Sequence, residues 1–419
     1  MSNAKQLQLP LKGVKVIDFS HAWAGPTCTM LLGDAGADII KVEPIAGDFY
    51  RTAMDGAVFI IVGRNKRSIA MDLKTDDGHR IALKLLENAD VLVENFAPGV
   101  MDKLGLGYKT ISRMNQRIIY CSISGFGQTG PYHKRPSFDP VAQAVSGIML
   151  ATGEADRPPV RILPPMIDYS AGLHAAYGII IALMKREKSG EGERIDVSLM
   201  DIGIAHMGAF VAHYTMTGEL PERMGSAHKE WAPYQAFETR DGWVLIAVAS
   251  NKMWEDLCKV LGLKDLRNDS RYATPESRRK HRKELAESLT KITRQFRGRE
   301  LESMLSEAGV PCGQLRDIGE VVNDPHVKAR RLIDDVEYPG RGKIKIVRTP
   351  IFFSGQAPKA RSQAPQLGEH TADVLAELGF SEADIQRLED NGVVRRKSSM
   401  MHPTPQAMRE ISDDRKANS

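Results

Sequence analysis

Cysteine is scarce. The 419 residues hold only Cys28, Cys121, Cys258 and Cys312, and none stands in a CxxC pair or a Cys/His cluster of zinc spacing. That argues against a metal site and a disulfide framework, and the thiols are expected to be reduced, as in a cytoplasmic protein. Cys28 lies near a candidate ligand loop, where a nucleophile and an ordinary buried thiol are both open readings. An excess of one charge is also lacking: Lys+Arg 57 against Asp+Glu 53 leaves +4, too balanced for an electrostatic nucleic-acid binder. It leaves room for a local pocket that takes a phosphorylated cofactor. Long apolar runs are missing, since Ala175 to Met184 is about half of the roughly 20 residues that a membrane span needs. The opening MSNAKQLQLP has no apolar stretch of a secretory signal, so a cytoplasmic location and no membrane partner are expected.

What is present is an ordinary globular composition, 42% hydrophobic and 26% charged, on a chain long enough for two or three domains. From Gly13 onward strands and helices alternate. Strands are expected at Val14 to Phe19, Ala37 to Val42, Ser68 to Met71, Val91 to Glu94 and Ile118 to Ser124, with helices through Leu32 and over Asp76 to Asn88. This is an α/β, Rossmann-like succession with a parallel sheet. The turn after the first strand lacks GxGxxG, which disfavours a nicotinamide or flavin dinucleotide. Residues 125–165 are rich in Gly and Pro, and long irregular segments inside a compact domain tend to be functional. Asp168 to Arg186 reads as a helix with an acid or Ser170 at its N-cap. The domain reading is 11–216 for the first part of a large domain, 217–232 for a linker and 233–330 for a smaller α/β domain. Residues 331–394 then complete the large domain, and 395–419 form a polar tail. The basic helix from Arg278 is interrupted by Glu284 and Glu287 and has almost no aromatic residues, which favours a solvated face over a nucleic-acid surface.

The blocks GVKVIDFSHAWAGPTCTMLLGDAGADIIKVEP, NKRSIAMDLK, DVLVENFAPGVMDKLGLGY, IIYCSISGFGQTGPY, DPVAQAVSGIM and DYSAGLHAAYGIIIALMKREKSGEGERIDVSLMD occur in that order. Together they resemble the class III coenzyme A transferases, a family that includes formyl-CoA transferase, carnitine CoA-transferase and the α-methylacyl-CoA racemases. The resemblance runs from Leu11 to about Asn391. It implies a Rossmann-like large domain interrupted by a small one, two chains interlocked as a homodimer, and coenzyme A or acyl-CoA as substrate with no prosthetic group and no metal.

By the same resemblance Asp168 in MIDYSAG is the nucleophile. A carboxylate with an ordinary pKa near about 3.9 is ionised at neutral pH and attacks a thioester without a base. An N-cap role fits its position too, and a helix N-terminus would then stabilise the anion. The resemblance further implies CoA contacts from Ala22 and Trp23 in the first loop, Arg67 and Lys74 near the third strand, Asn95 and Phe96 in ENF, and Lys103 and Leu104. Cations there would meet the phosphates while Phe96 or Leu104 packs on adenine or pantetheine. Ser124 to Pro131 reads either as an anion nest or as a structural loop that brings Phe138 and Asp139 beside Asp168. Asp139 is a second catalytic candidate, orienting donors or helping an oxyanion. Phe138, His228 and Tyr234 are candidates for the substrate pocket, the last two from the small domain.

Two departures narrow the branch. The racemases place a proton-carrying histidine where this chain has Phe138, so racemisation or epimerisation is the weaker alternative, and His133 reads as a solvent-facing loop residue. Formyl-CoA transferase carries glutamine where this chain has Trp23, and a glycine run where MGSAHKEWAPYQAF has only Gly225, so oxalate and formate are disfavoured. The reading is therefore an acyl-CoA:carboxylate CoA-transferase, with a CoA-binding protein without turnover as the remaining alternative.

Overall fold

The structure, a computed structural model, describes residues 9–353 and 360–397. Short runs rich in Val and Ile, buried on both faces, make the central strands, as a parallel sheet between helices requires. In chain order the elements that position the site are β1 (Lys15–Asp18), α1 (Ala24–Asp34), β2 (Asp38–Glu43), β3 (Lys66–Met71), α2 (Asp76–Glu87), β4 (Val91–Glu94) and β5 (Ile119–Ser124). They continue with α3 (Asp139–Val145), α4 (Met166–Ser189), β6 (Glu193–Ser198) and α5 (Leu199–His206). Strand order is 3-2-1-4-5-6, all parallel, the order of the doubly wound dinucleotide folds. The expected bounds of β4 agree with the structure, and α2 ends one residue earlier than expected. Its start is sealed by Thr75, whose hydroxyl accepts from Gly78 N at 3.0 Å, with Asp76 and Asp77 in the first turn.

By contact density the chain divides into two units. The first takes the chain up to Ile148, then Ile162–Val211 and everything from Lys328. The second takes Met149–Arg161 and Ala212–Val327, so the expected linker 217–232 falls within it. Its centre is an antiparallel sheet of β7 (Tyr234–Thr239), β8 (Gly242–Ala247) and β9 (Cys312–Gln314), packed through Phe237, Val244, Ile246, Leu285 and Leu301. The basic stretch is two helices, α6 (Pro275–Lys280) and α7 (Arg282–Thr293); Lys280, Lys283 and Lys291 are exposed, as a solvated face requires, but some of its arginines are committed to the fold. Arg278 is buried and donates to the carbonyls of Ala232 and Tyr272, Arg279 pairs with Glu230, and Arg294 pairs with Glu238. That is the physical reason the solvated-face reading fails at Arg278.

The returning segment contributes a hairpin, β10 (Ile333–Tyr338) with β11 (Gly342–Val347), and then β12 (Val394–Arg395), which closes the sheet antiparallel to β3. The supposed tail is therefore anchored at its first residues. Arg396 pairs with Glu389 and Glu382, while residues from 398 lie outside the described residues.

Helix α4 is longer than its apolar core suggested. By length and composition it could cross a membrane, but 44% of its most apolar window is buried inside the chain. It packs on α1, where Gly172 permits the approach: a Cβ there would stand 2.6 Å from the carbonyl oxygen of Ala24. Any side chain at 172 would force the two helix starts apart.

Candidate active site

In open α/β sheets ligands bind outside the carboxyl ends of the strands, at the point where the strand order reverses. Here that point lies between β1 and β4, and Asn95 spans it. Its Oδ1 accepts from His21 N at 2.8 Å and its Nδ2 donates to His21 O at 2.8 Å. The first loop is strained, with Ala22 in the left-handed region at φ 65°. It is also tight, since a Cβ at Gly25 would lie 2.2 Å from the Cβ of Ser20.

A cavity of about 640 Å³ opens at the ends of these strands, lined by His21, Lys41, Phe49, Lys74, Phe96 and Leu104 among others. The His21 ring stands 5.1 Å from Phe96 and 6.0 Å from Phe49, and burial holds its imidazole below the usual value, leaving it neutral at pH 7. The indole N–H of Trp23 is buried with no acceptor among the described residues. A buried donor without a partner is costly unless a ligand supplies one. Lys103 is exposed on a short helix, and its neighbour Leu104 reaches the cavity wall.

Arg67 is elsewhere. It lies near the amino end of β3, opposite Ile40 of β2, whereas the cavity gathers Met71 and Asp72 from the other end. Its guanidinium is engaged by Asp38 at 2.7 Å and Glu377 at 2.6 Å. The expectation that Arg67 joins the CoA loops is corrected by strand direction.

Asp168 is in the first turn of α4, but it is not the cap. The helix begins at Met166, and the cap comes from Asp139, a residue of a different helix. Asp139 Oδ2 accepts from Ile167 N at 2.8 Å and from Asp168 N at 3.1 Å. Its Oδ1 accepts from Gln143 Nε2 at 2.6 Å, and Gln143 Oε1 in turn accepts from Ile162 N at 2.9 Å. With two helix-end donors spent on Asp139, the expected stabilisation of the Asp168 anion is reversed. Burial first, and the neighbouring Asp139 charge second, push the Asp168 carboxyl up to about 7. Tyr50, which sequence reading passed over, shares this neighbourhood, because burial and then the Asp168 charge hold its phenol above the usual range. Its ring is 4.7 Å from that of Phe49, a cavity wall, so Tyr50 joins the cavity to the aspartate.

The remaining expectations resolve individually. Phe138 is 66% exposed, directly before α3. The loop 124–131 is not a free anion nest, because Gln128 N already donates to Asp196 Oδ2 at 2.9 Å. His133 Nδ1 bonds the carbonyl of Gly130 at 2.7 Å within its own loop. Burial drives the Cys28 thiol far up, so no thiolate nucleophile forms there at neutral pH. In the second unit the His228 ring stacks on Trp231 at 4.5 Å and on Tyr234 at 5.0 Å. Glu230 N donates to His228 Nδ1 at 3.1 Å, which leaves the other ring nitrogen to carry the proton. Among the described residues no group of three or more His, Cys, Asp or Glu could hold a metal ion.

Residues 11–371 match the model of CoA-transferase family III. The chain belongs to this family. It is 37% identical over 402 residues to succinyl-CoA:glutarate CoA-transferase of Homo sapiens, covering 94% of this chain and 91% of that protein. It is likewise 37% identical over 384 residues to succinyl-CoA:mesaconate CoA-transferase of Haloarcula hispanica, covering 88% of this chain and 96% of that protein. Among solved structures, a CAIB/BAIF family protein from Brucella suis superposes with a TM-score of 0.81 at 38% identity, covering 88% of this chain and 99% of that one. The protein is thus a class III CoA-transferase, an enzyme that takes CoA thioesters as substrates.

Proposed function

We propose that this class III enzyme moves CoA from succinyl-CoA to a second short dicarboxylate or hydroxy acid, with Asp168 as the covalent nucleophile. The observation that carries the reading is the half-buried Asp168 carboxyl beside Asp139 in the first turn of α4, one turn before the Gly172 contact with the start of α1. The names of the relatives, with succinyl-CoA as donor and glutarate or mesaconate as acceptor, support the substrate class.

An Asp168 oxygen attacks the thioester carbonyl, the C–S bond breaks, and CoA leaves as a thiolate while an aspartyl-acyl anhydride forms. The thiolate then attacks the aspartyl carbonyl and releases the donor acid, leaving an aspartyl-CoA thioester. The acceptor carboxylate attacks this thioester to give a new anhydride and free thiolate, and the thiolate takes the acceptor acyl group and restores Asp168. One thioester is made for each one consumed, so no external energy source enters.

Crossing several acyl-CoA donors with about a dozen carboxylates and reading products by mass spectrometry tests the assignment. Turnover is expected to be highest with succinyl-CoA and a four- or five-carbon dicarboxylate. Preference for monocarboxylates or for oxalate would overturn the substrate class, and α-proton exchange without CoA transfer would favour an epimerase.

We further propose that the enzyme works as a homodimer, interlocked as in the family it resembles. Leu173, Tyr177, Ile181 and Met184 stand exposed along α4, an apolar row that a second copy would cover. Sedimentation equilibrium is expected to give twice the 46.3 kDa chain mass at all working concentrations, and a monomer would contradict the proposal.

A further inference from the structure

The carboxylate beside the nucleophile is built in with unusual completeness. Asp139 is 4% exposed, and its oxygens accept three hydrogen bonds, two from backbone N–H groups of α4 and one from Gln143. Gln143, itself fully buried, is pinned at both ends of its amide: Oε1 accepts from Ile162 N at 2.9 Å and Nε2 also reaches Ile162 O at 3.2 Å. Both Asp139 oxygens therefore act as acceptors inside the fold, Oδ2 for the two helix N–H groups and Oδ1 for Gln143. With both oxygens engaged it offers little to a substrate.

We propose that Asp139, clamped by Gln143, is the positioning residue of the nucleophile: it fixes the first turn of α4 and places its carboxylate beside that of Asp168. The inference rests on Asp168 being the nucleophile and adds how its reactivity is set. A more basic carboxylate is a stronger nucleophile toward a thioester, and the same charge discourages Asp168 from remaining a free anion when no acyl group is bound. Gln143 had no visible role in the sequence, where it sits four residues after Asp139 on one helix face.

Among the titratable groups on α4 and on the elements packed against it, Asp139 is the charge that acts on the Asp168 carboxyl. Helix α5 brings His206, whose Nε2 meets Ser170 Oγ at 3.0 Å. Helix α1 brings Cys28, with its proton held by burial, and Asp34, which is engaged by Arg64 at 2.7 Å. The segment after β2 brings Tyr50. On α4 itself His174 bonds Ser170 O at 2.7 Å, and farther along β6 brings Glu193 against Lys185. Strand β5 brings Cys121 and Tyr120, both kept protonated by burial.

The test reads ionisation without turnover. Infrared difference titration of the free enzyme against its Asp168→Asn variant reports the Asp168 carboxyl directly, and trapping of the succinyl adduct with hydroxylamine across pH reports its reactivity. The wild-type midpoint is expected near 7. Asp139→Asn and Asp139→Ser, both neutral and both able to accept from the helix N–H groups, should move the midpoint down by about one pH unit or more. Gln143→Met keeps the charge, so it should leave the midpoint in place while slowing adduct formation about tenfold by loosening the turn. An unchanged midpoint in whichever of the two neutral variants folds, or a shifted one in Gln143→Met with normal adduct formation, overturns the proposal. If the midpoints move as expected but wild-type Asp168 forms no adduct at any pH, the positioning role stands and the nucleophile assignment falls.

Discussion

Asp168→Asn is expected to lower CoA-transfer turnover by about 10³-fold or more while leaving the fold intact, because removal of a covalent nucleophile leaves only binding and orientation. The same substitution should make the protein more stable at pH 8. In the folded chain the Asp168 carboxyl is raised to about 7, well above its value of about 3.9 in an unfolded chain. Below the unfolded value both states are protonated and nothing is lost. As pH rises toward 7 the unfolded chain ionises freely while burial and Asp139 oppose ionisation in the fold, so the wild-type protein loses stability over that window. Asparagine escapes the loss, and the gain is about 1–3 kcal/mol after allowing for partial exposure of the site. Thermal melts of both proteins at pH 4.5 and pH 8 check it: the Tm difference should be small at the lower pH and clearly larger at the higher. A stabilisation that is the same at both pH values would remove the electrostatic explanation.

Lys66→Met is expected to destabilise the enzyme by about 3–5 kcal/mol and to weaken acyl-CoA binding at the same time. Lys66 is fully buried, and its Nζ donates to Asp18 Oδ2 at 3.0 Å, to Thr29 Oγ1 at 2.6 Å and to Pro26 O at 3.0 Å. Burial draws its ammonium down to about 8, so it remains mostly charged at pH 7. Burial alone would raise Asp18, but Lys66, Lys41 and the hydroxyls of Ser20 and Thr29 together hold it well below the usual carboxylate range. Lys41 Nζ ties the network to the first loop through Ser20 O at 2.6 Å. Methionine at 66 would leave Asp18 charged, buried and short of its partner, directly beneath the loop that carries His21, Ala22 and Trp23. The stability that Asp18 supplies is present above pH about 4 and lost as pH falls through its folded value, so the difference between variant and wild type should shrink in acid. Chemical denaturation at pH 7 together with the KM for succinyl-CoA provides the check. A variant with wild-type stability would mean that the network is dispensable.

The layered architecture could be read from the residues because each central strand is a short Val- and Ile-rich run closed by turn residues. Val91 to Glu94 agrees with the structure for that reason, and the start of the helix at Asp76 is marked by the acids of its first turn. The buried network also had a signal: Lys41 and Glu43 alternate with Ile and Val in a strand apolar enough to be covered on both faces, where a charge must find a partner. The cap on α4 had none. Its donor acceptor pair joins residues 28 and 29 positions apart, and only the packing of α3 against α4 brings Asp139 to the amides of Ile167 and Asp168. A local reading therefore credited Asp168 with the capping role and with the wrong direction of its proton affinity. The Arg67 contact implied by the resemblance failed because the resemblance points to a cation near the third strand but not to which end of that strand faces the ligand. The two-residue strand Val394–Arg395 is too short to carry any periodicity, and it exists because the edge of β3 was open to it.

Incubation of the wild-type enzyme with succinyl-CoA, followed by hydroxylamine and peptide mass analysis, addresses the covalent assignment directly. The expected result is a hydroxamate confined to the peptide that carries Asp168, formed only when an acyl-CoA is supplied and absent from Asp168→Asn. An enzyme that turns over with Asp168 unmodified, or one that carries the label on another residue, would contradict it.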